Sequence, residues 1–292
     1  MADPLQRGLL SLLAWLPLPL QYLLGELIGS LFALFPNRHK RISLRNLTLC
    51  YPELSEYARA RLLIKSLRET TRAVLETPMI WRASHTRIAR LVRRVEGEEH
   101  LRRALAEDKG VIIASPHLGS WELVGQYLQG IAPLTALYKP PLKPSHDRII
   151  REGRGHLGME IVPTDPQGVR KLFSLLKRGQ MIGILPDQDP GKSGGVFVPF
   201  FGIQTNTMTL LPKLAARSQA AVLVCYAERL SWGRGYVIHI LPVDAAIHDS
   251  DLTHSATALN DMVEQAVRQC PSQYQWSYKR FRRRPEGEGR LY

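Results

Sequence analysis

Short apolar runs alternate with helix-like segments between residues 111 and 241, and this alternation constrains the fold more than any other feature of the chain. The strand-like runs cover residues 111–114, 135–138, 159–162, 181–185, 221–226 and 236–241. Most of the gaps between them carry helical patterns, at residues 121–129, 145–155, 167–178 and 210–217. Strands that alternate with helices are typical of βαβ units. We therefore predict an α/β fold, with a mainly parallel sheet flanked by helices.

Further elements are predicted around and within this body. Helical patterns cover residues 55–79, 86–94 and 98–107 before the first strand, and residues 253–269 near the end of the chain. The last two strands are separated only by residues 229–235, a connection short enough for an antiparallel hairpin. The Gly- and Pro-rich stretch 189–202 is predicted to be a long loop, and long loops inside compact domains are usually functional.

Residues 8–35 are strongly apolar and contain one formally charged side chain, Glu26, in 28 positions. A run of this length predicts an N-terminal hydrophobic membrane-anchor helix. Pro17 and Pro19 interrupt the run, so a kinked span or a helical hairpin within one leaflet is an alternative. A buried helix of a soluble protein is a second alternative.

Basic residues flank the apolar run unevenly. Only Arg7 precedes it, and four basic residues follow it directly: Arg38, Lys40, Arg41 and Arg45. This asymmetry predicts that the rest of the chain lies on the cytoplasmic side of a membrane. We accordingly divide the chain into an N-terminal membrane anchor at residues 1–36 and one folded domain at residues 37–292.

The net charge and the cysteines narrow the range of partners and ligands. The 292-residue chain carries a formal net charge of +13. This positive charge predicts an anionic partner such as lipid headgroups, a phosphorylated substrate, an acidic carrier protein or nucleic acid.

Cys50, Cys225 and Cys270 lie far apart and form no C-x-x-C pair. They predict a reducing compartment, with neither a disulfide framework nor a zinc site.

His117 and Glu122 lie where the first predicted strand of the body turns into a helix. Open α/β sheets bind ligands outside the carboxyl ends of their strands, so the imidazole is expected at a ligand crevice. If the chain turns between the two residues, Glu122 can reach the far nitrogen of His117, fix its tautomer and raise the basicity of the other nitrogen. The alternative is a structural histidine and a glutamate that merely interacts with the helix dipole.

Further candidate ligands follow other predicted strands. Lys139 is a substrate-binding candidate after the second strand, and three arginines with a spacing of three come next: Arg148, Arg151 and Arg154. Such guanidinium groups suit phosphate binding, unless they form a solvated basic face.

Asp187 and Asp189 could contact a substrate hydroxyl, bind a metal or cap the turn, and the lack of a third suitably spaced acid weakens the metal option. The aromatic stretch 195–202 predicts either packing or an apolar wall for an acyl chain.

These stretches occur in a characteristic order. They are H-L-G-S-W-E at 117–122, Y-K-P-P at 138–141, R-E-G-R-G at 151–155, I-L-P-D-Q-D-P-G at 184–191 and an aromatic, basic segment at 273–285. The series closely resembles the lauroyl/myristoyl transferase family of lipid A synthesis in Gram-negative bacteria. That family is part of the superfamily of acyltransferases with an H-x-x-x-x-D/E motif. The resemblance extends upstream to residues 41–53, so it covers nearly the whole chain after the apolar run.

The resemblance implies an enzyme at the cytoplasmic face of the bacterial inner membrane. It would transfer a fatty acyl chain from acyl carrier protein to a hydroxyl of an under-acylated, phosphorylated lipid A precursor. The family pattern implies His117 as general base, Glu122 as its partner, Arg154 as a substrate-phosphate ligand and Asp187 as a further site residue. The chain itself would need no cofactor or metal, because phosphopantetheine is supplied on the carrier protein.

A His–carboxylate pair suits this reaction, because the acceptor hydroxyl must lose its proton as it attacks the thioester, a contribution of ~10²–10⁴-fold. Ser115 lacks a G-x-S-x-G context and Cys225 lies within a predicted strand, so we expect direct transfer without an acyl-enzyme. Alternatives are a lysophosphatidate-type or other glycolipid acyltransferase, or a non-catalytic lipid-binding membrane protein. The basic tail at 279–284 fits no nucleic-acid motif, which favours a membrane-surface or headgroup role, with a solvated tail as the alternative.

Overall fold

The computed structural model describes residues 4–292, apart from the side chains of residues 4–7 and 9. Met1, Ala2 and Asp3 of the predicted anchor, and the Arg7 side chain used to predict its orientation, lie outside the described part. Eleven α-helices occur in that part: α1 (Pro4–Trp15), α2 (Leu18–Leu34), α3 (Arg38–Cys50), α4 (Glu56–Arg82), α5 (His85–Leu91), α6 (Glu98–Ala106), α7 (Trp121–Gln129), α8 (Pro144–Arg154), α9 (Pro166–Leu176), α10 (Leu210–Ser218) and α11 (Leu252–Gln269).

Nine strands form two sheets within the described residues. They are β1 (Val92–Glu96), β2 (Val111–Ala114), β3 (Leu134–Tyr138), β4 (Glu160–Pro163), β5 (Met181–Ile184), β6 (Gly195–Phe200), β7 (Ile203–Met208), β8 (Ala221–Arg229) and β9 (Tyr236–Pro242). The large sheet has the order β1-β9-β8-β2-β5-β3-β4, and β6 and β7 form a separate hairpin. Every pairing in the large sheet is parallel except that of β8 with β9. The predicted mainly parallel α/β sheet is confirmed.

The core covers both faces of the sheet. Ile112 and Ala114 of β2 belong to one apolar cluster, with residues of α9, α10, α11 and the C-terminal segment. Val111 and Ile113 of the same strand belong to a second cluster on the other face, with residues of α4, α6 and α7. A strand buried on both faces is apolar at every position, as expected for the centre of a parallel sheet.

Two predicted elements are wrong in detail. The helix predicted over 86–94 ends at Leu91, and the next residues form β1, an edge strand that pairs with β9. The loop predicted over 189–202 contains β6 and continues into β7 as a hairpin. Val198 and Phe200 of β6 are buried while Phe197 is exposed, so the apolar residues follow the two-residue period of a strand. Of the two roles predicted for the aromatic stretch, the structure supports packing.

The predicted anchor helix is divided into α1 and α2 at Leu16 and Pro17. The Gln21 side chain bridges this break, because its amide donates to the carbonyl oxygens of Leu13 (2.8 Å) and Leu16 (3.1 Å). Among the described residues, no single helix has the length and apolarity needed to cross a bilayer. Helices α2 and α3 satisfy that test only as a pair, bent by 83° at their junction.

Helix α2 packs closely on α4 and carries the one charge of the apolar run into an ionic network. Glu26 forms salt bridges with Arg68 (2.6 Å) and Arg72 of α4. Farther along α4, Glu76 binds the buried Arg229 of β8 at 2.6 Å. Glu69 forms salt bridges with both Arg72 and Arg229, so it connects the two ends of the network. The charge of Glu26 is therefore satisfied inside the fold.

The turn between β2 and α7 is wedged between two other backbone segments. Gly119 has a φ of +59°, and a Cβ at this position would collide with the carbonyl oxygen of Ala227 at the end of β8. The N–H of Gly119 donates to Gln273 (3.0 Å), and the N–H of Ser120 donates to Ala227 (2.8 Å). Only glycine permits both this conformation and this approach, so the turn holds His117, two residues before Gly119, in one place.

Candidate active site

Residues that follow three adjacent parallel strands meet at one edge of the sheet. Ala114 of β2 pairs with Ile184 of β5, and His117 and Asp187 each lie three residues beyond that pair. Lys139 directly follows β3, the next strand, and is exposed. Because parallel strands have their carboxyl ends on the same side, this edge is the expected ligand site of the fold.

His117 is bound by Asp187 through both its side chain and its backbone. Nδ1 of the imidazole lies 2.8 Å from one carboxylate oxygen, and the backbone N–H donates to the other at 2.9 Å. Burial raises the pKa of Asp187, but the His117 charge and these hydrogen bonds outweigh burial and leave the pKa below its ordinary value. An ionised Asp187 keeps the proton on Nδ1, so Nε2 is the nitrogen that can act as a base.

The predicted contact between Glu122 and His117 is wrong, because Asp187 occupies the position expected for Glu122. Glu122 lies in the first turn of α7, and its carboxylate is directed towards α4 and α8. It accepts hydrogen bonds from Arg154 (2.6 and 3.0 Å), Trp81 (2.7 Å) and Trp121 (3.2 Å). The Trp121 ring also lies beside the imidazole, with 5.3 Å between ring centroids. Glu122 thus borders His117 through a tryptophan, and the catalytic roles of both residues stay predictions.

The ion pair of Glu122 with Arg154 engages the guanidinium group that was predicted to bind phosphate. Burial raises the pKa of Glu122, yet the Arg154 charge and the hydrogen bonds bring it below its ordinary value. Two guanidinium nitrogens of Arg154 point at the carboxylate. Arg151 pairs with Asp147 at 2.8 Å, whereas Arg148 is exposed. The three arginines therefore do not form one open phosphate-binding face.

Asp189 caps a turn and does not join Asp187. Its carboxylate accepts from the Gly191 N–H (2.8 Å) and the Asn206 amide (2.9 Å), and pairs with Arg283 at 3.0 Å. In the part of the chain that the structure describes, no group of three or more His, Cys, Asp and Glu side chains is placed to hold a metal ion. Of the three roles predicted for this residue, the structure supports the turn cap.

The C-terminal segment contributes directly to the site, which the sequence analysis did not predict. The Gln275 N–H donates to the His117 carbonyl oxygen (3.0 Å), and Tyr274 forms a β-bridge with Leu118. Arg280, from the tail predicted to be at a membrane surface or solvated, is 3% exposed and donates to the Asn206 carbonyl at 2.7 Å. The interleaved aromatic residues of this segment were the available signal, because three of them, Tyr274, Trp276 and Phe281, are buried.

A cavity of about 710 Å³ lies behind the Glu122–Arg154 pair, between α1, α4 and α8. Trp81 forms the wall between them, since its indole N–H reaches Glu122 while its ring faces the cavity. The other lining residues are Leu10, Ser11, Ala14, Trp15, Pro78, Arg82, Arg87, Ile149, Glu152, Gly153 and His156. The lining combines apolar walls with the exposed basic groups of Arg82 and Arg87 and the exposed carboxylate of Glu152.

Comparison with known proteins assigns the chain to a family. The model of the bacterial lipid A biosynthesis acyltransferases matches residues 3–283. The chain belongs to this family. Two lipid A acyltransferases of Escherichia coli are similar over nearly their whole length. The lauroyltransferase is 32% identical over 281 residues, which cover 96% of this chain and 91% of the relative. The palmitoleoyltransferase is 31% identical over 292 residues, which cover 98% of this chain and 92% of the relative.

An acyltransferase named for a different glycolipid is similar to a shorter part of this lipid A acyltransferase family member. The phosphatidylinositol mannoside acyltransferase of Mycobacterium tuberculosis is 32% identical over 171 residues, which cover 56% of this chain and 52% of the relative. The family model and the two Escherichia coli relatives confirm the family resemblance inferred from the motifs.

Glu122→Ala is expected to lower the free energy of unfolding at pH 7 by about 3–5 kcal/mol, because it leaves the buried Arg154 charge unpaired. The pKa of Glu122 is lowered in the fold, so its contribution is complete above its ordinary pKa of 4.5 and is lost as the pH falls through the lower folded value. The stability difference between wild type and Glu122→Gln should accordingly narrow below pH 4.5. Urea unfolding between pH 3 and pH 7 measures both effects.

The control for this measurement is Glu152→Gln, an exposed glutamate of α8. It should change the free energy of unfolding by less than about 0.5 kcal/mol. Equal effects of the Glu122 and Glu152 substitutions would contradict a stabilising role for the ion pair.

Proposed function

We propose that the protein transfers a fatty acyl chain from acyl carrier protein to a hydroxyl of an under-acylated lipid A precursor. The observation that carries this proposal is the His117–Asp187 pair at the carboxyl edge of the sheet, in a chain of the lipid A acyltransferase family. The names of the Escherichia coli relatives, a lauroyltransferase and a palmitoleoyltransferase, support a late acyl transfer.

In the proposed reaction, Nε2 of His117 removes the proton of the acceptor hydroxyl as its oxygen attacks the thioester carbonyl carbon. The C–O bond forms, the C–S bond breaks, and the phosphopantetheine thiolate takes the proton from the imidazolium as it leaves. Asp187 stabilises the imidazolium by charge and keeps the ring oriented. This assigns to Asp187 the part that the sequence suggested for Glu122, while Glu122 pairs with Arg154 and positions Trp121 beside the base.

Direct transfer is supported by the state of the possible nucleophiles. Burial raises the pKa of the Cys225 thiol, and buried thiols of this kind are unreactive. Ser115 is buried upstream of the turn, with its N–H bonded to Ile184 at 3.0 Å. The Ser115 hydroxyl has no hydrogen bond to a base among the described residues, so a single step between donor and acceptor is the simpler chemistry.

The phosphorylated acceptor is proposed to occupy the cavity between α1, α4 and α8. Its apolar wall, which includes Leu10 and Ile149, suits acyl chains, and the exposed Arg82 and Arg87 suit phosphate. These two arginines take the role predicted for Arg154, whose guanidinium is already bound to a carboxylate. Lys139, exposed at the same edge of the sheet as His117, stays a substrate-binding candidate.

The acidic carrier protein is proposed to approach the same edge of the sheet. Lys139, Lys143 and Arg148 are exposed on the segment that follows β3. A positive surface beside the base accelerates the encounter with an acidic partner and makes it depend on ionic strength. The formal net charge of +13 agrees with two anionic substrates.

We also propose that the protein acts at the cytoplasmic face of the inner membrane, held there by an apolar face on α1 and α2. This face consists of exposed side chains: Leu12, Trp15, Leu20, Leu23, Leu27, Leu31, Phe32, Leu34 and Phe35. Trp232 lies beside it, 68% exposed and 6.1 Å from the Tyr22 ring. A contiguous apolar surface of this size, flanked by basic residues, suits the surface of an anionic membrane.

The purified full-length protein should form a singly acylated product from acyl carrier protein thioesters and an under-acylated lipid A precursor, detected by mass spectrometry of the lipid. His117→Ala should lower turnover at least ~100-fold while the protein still folds, because the acceptor loses its base. Lysophosphatidate and a phosphatidylinositol mannoside are the competing acceptors. Faster transfer to either one, or full activity of His117→Ala, would contradict the proposal.

Asp187→Asn should also lower turnover at least ~100-fold, because the amide cannot stabilise an imidazolium. In a double-mutant cycle with His117→Ala, the second substitution should have little further effect, since the two residues act as a unit. Additive losses would show that Asp187 does not act through His117. A structural readout is the Nδ1–H resonance of the imidazole, which should disappear in Asp187→Asn and persist in Glu122→Gln.

The variant Leu27→Glu/Leu31→Glu should weaken binding to vesicles that contain anionic lipid at least about tenfold, because each leucine buried in lipid contributes about 1.5–3 kcal/mol. Vesicle flotation measures the bound fraction. Ile131→Glu is the matched control, since Ile131 is also an exposed apolar residue but precedes β3 at the opposite edge of the sheet. Equal binding of all three proteins would rule out the apolar face as the membrane contact.

A further inference from the structure

The attack on a thioester develops negative charge on the carbonyl oxygen, which needs a hydrogen-bond donor. The backbone N–H groups of residues 117–120 are the nearest donors along the chain. Each already has an acceptor inside the protein, at distances between 2.7 and 3.0 Å: His117 donates to the Asp187 carboxylate, Leu118 to Pro116, Gly119 to Gln273 and Ser120 to Ala227. The turn that carries the base therefore has no spare backbone donor for an oxyanion.

The charged and indole donors around Glu122 are also engaged. Arg154, Trp81 and Trp121 all donate to the Glu122 carboxylate. Withdrawing any of them would leave part of a buried carboxylate without its partners, which is costly. A side chain whose present partner leaves or exchanges during the reaction can supply the donor without that cost.

Gln188 is placed in this way. Its side-chain nitrogen lies 3.2 Å from Nε2 of His117 and 3.2 Å from the side-chain oxygen of Gln275. Because Nδ1 is paired with Asp187, Nε2 accepts one of the two amide hydrogens of Gln188. We propose that this amide hydrogen binds the carbonyl oxygen in the transition state, which makes Gln188 a catalytic residue. The inference rests on the acyl transfer proposed above.

The geometry explains how one amide can serve both states. In the free protein, Gln188 occupies the hydrogen-bonding position on Nε2 that the acceptor hydroxyl must take. When the hydroxyl arrives, one amide hydrogen is released within about 3 Å of the reacting atoms, while the other stays on Gln275. Gln275 is itself fixed, because its N–H donates to the His117 carbonyl oxygen at 3.0 Å. The donor is thus held in place before the reaction, as electrostatic stabilisation requires.

Gln188→Ala should lower kcat about 10²–10³-fold, the usual loss on removal of one oxyanion donor, and should change KM for either substrate less than about threefold. Gln188→Glu has the same shape but places a carboxylate near the oxyanion, so its loss of kcat should be at least as large. Steady-state kinetics with the acyl carrier protein thioester and the lipid acceptor measure both constants. The matched control is Gln180→Ala, an exposed glutamine at the opposite end of β5, which should keep wild-type kinetics.

A second measurement separates catalysis from a structural role. Binding of an acyl carrier protein that bears a non-cleavable thioether analogue should be unchanged in Gln188→Ala, because the proposed contact strengthens only in the transition state. If Gln188 only covers the base, Gln188→Ala will keep or increase kcat, and that result overturns the inference. A parallel loss of analogue binding and thermal stability in both Gln188 variants overturns it as well. Inactive wild-type protein would instead refute the proposed function itself.

Discussion

The contact of the Gly119 turn with two neighbouring backbones is the constraint on which the site depends. The turn follows the central strand β2 and is hydrogen-bonded to Ala227 at the end of β8 and to Gln273 in the C-terminal segment. A side chain at Gly119 would collide with the Ala227 carbonyl oxygen. The backbone that carries His117 is therefore fixed in one conformation. Asp187 then completes the arrangement from the adjacent strand β5, through both the imidazole and the His117 N–H.

Most of the sheet could be predicted because its strands are buried on both faces and bounded by turn residues. The ranges predicted for β2 and α7 agree with the structure at both ends. The edge strand β1 was missed because its pattern V-R-R-V-E is short and mostly polar, and its pairing with β9 is a tertiary effect. Strand β6 was predicted to be part of a loop because glycine and proline surround it, and β7 was not predicted. The strand character of this hairpin comes from buried aromatic contacts with distant residues.

The location of the candidate site could be predicted from the sequence, but the hydrogen bonds between its residues could not. Parallel topology brings His117, Asp187 and Lys139 to one edge, and the strand ends in the sequence already indicate this. The partner of His117 was assigned wrongly because Glu122 is five residues away in sequence, whereas Asp187 is close only through the pairing of β2 with β5. The contacts of Trp81, Gln188 and Gln275 depend on how α4 and the C-terminal segment pack, which local patterns do not report.

The position of Gln273 and Gln275 in the chain affects when the protein becomes functional during its synthesis. Both residues come after every α-helix and strand of the described chain, yet they hold the turn that bears His117 and the side-chain amide of Gln188. A nascent chain that has not emerged past this segment has its sheet residues but not the completed turn. We therefore expect the turn that carries His117 to be completed only after residues 273–275 have docked, late in the synthesis of the chain.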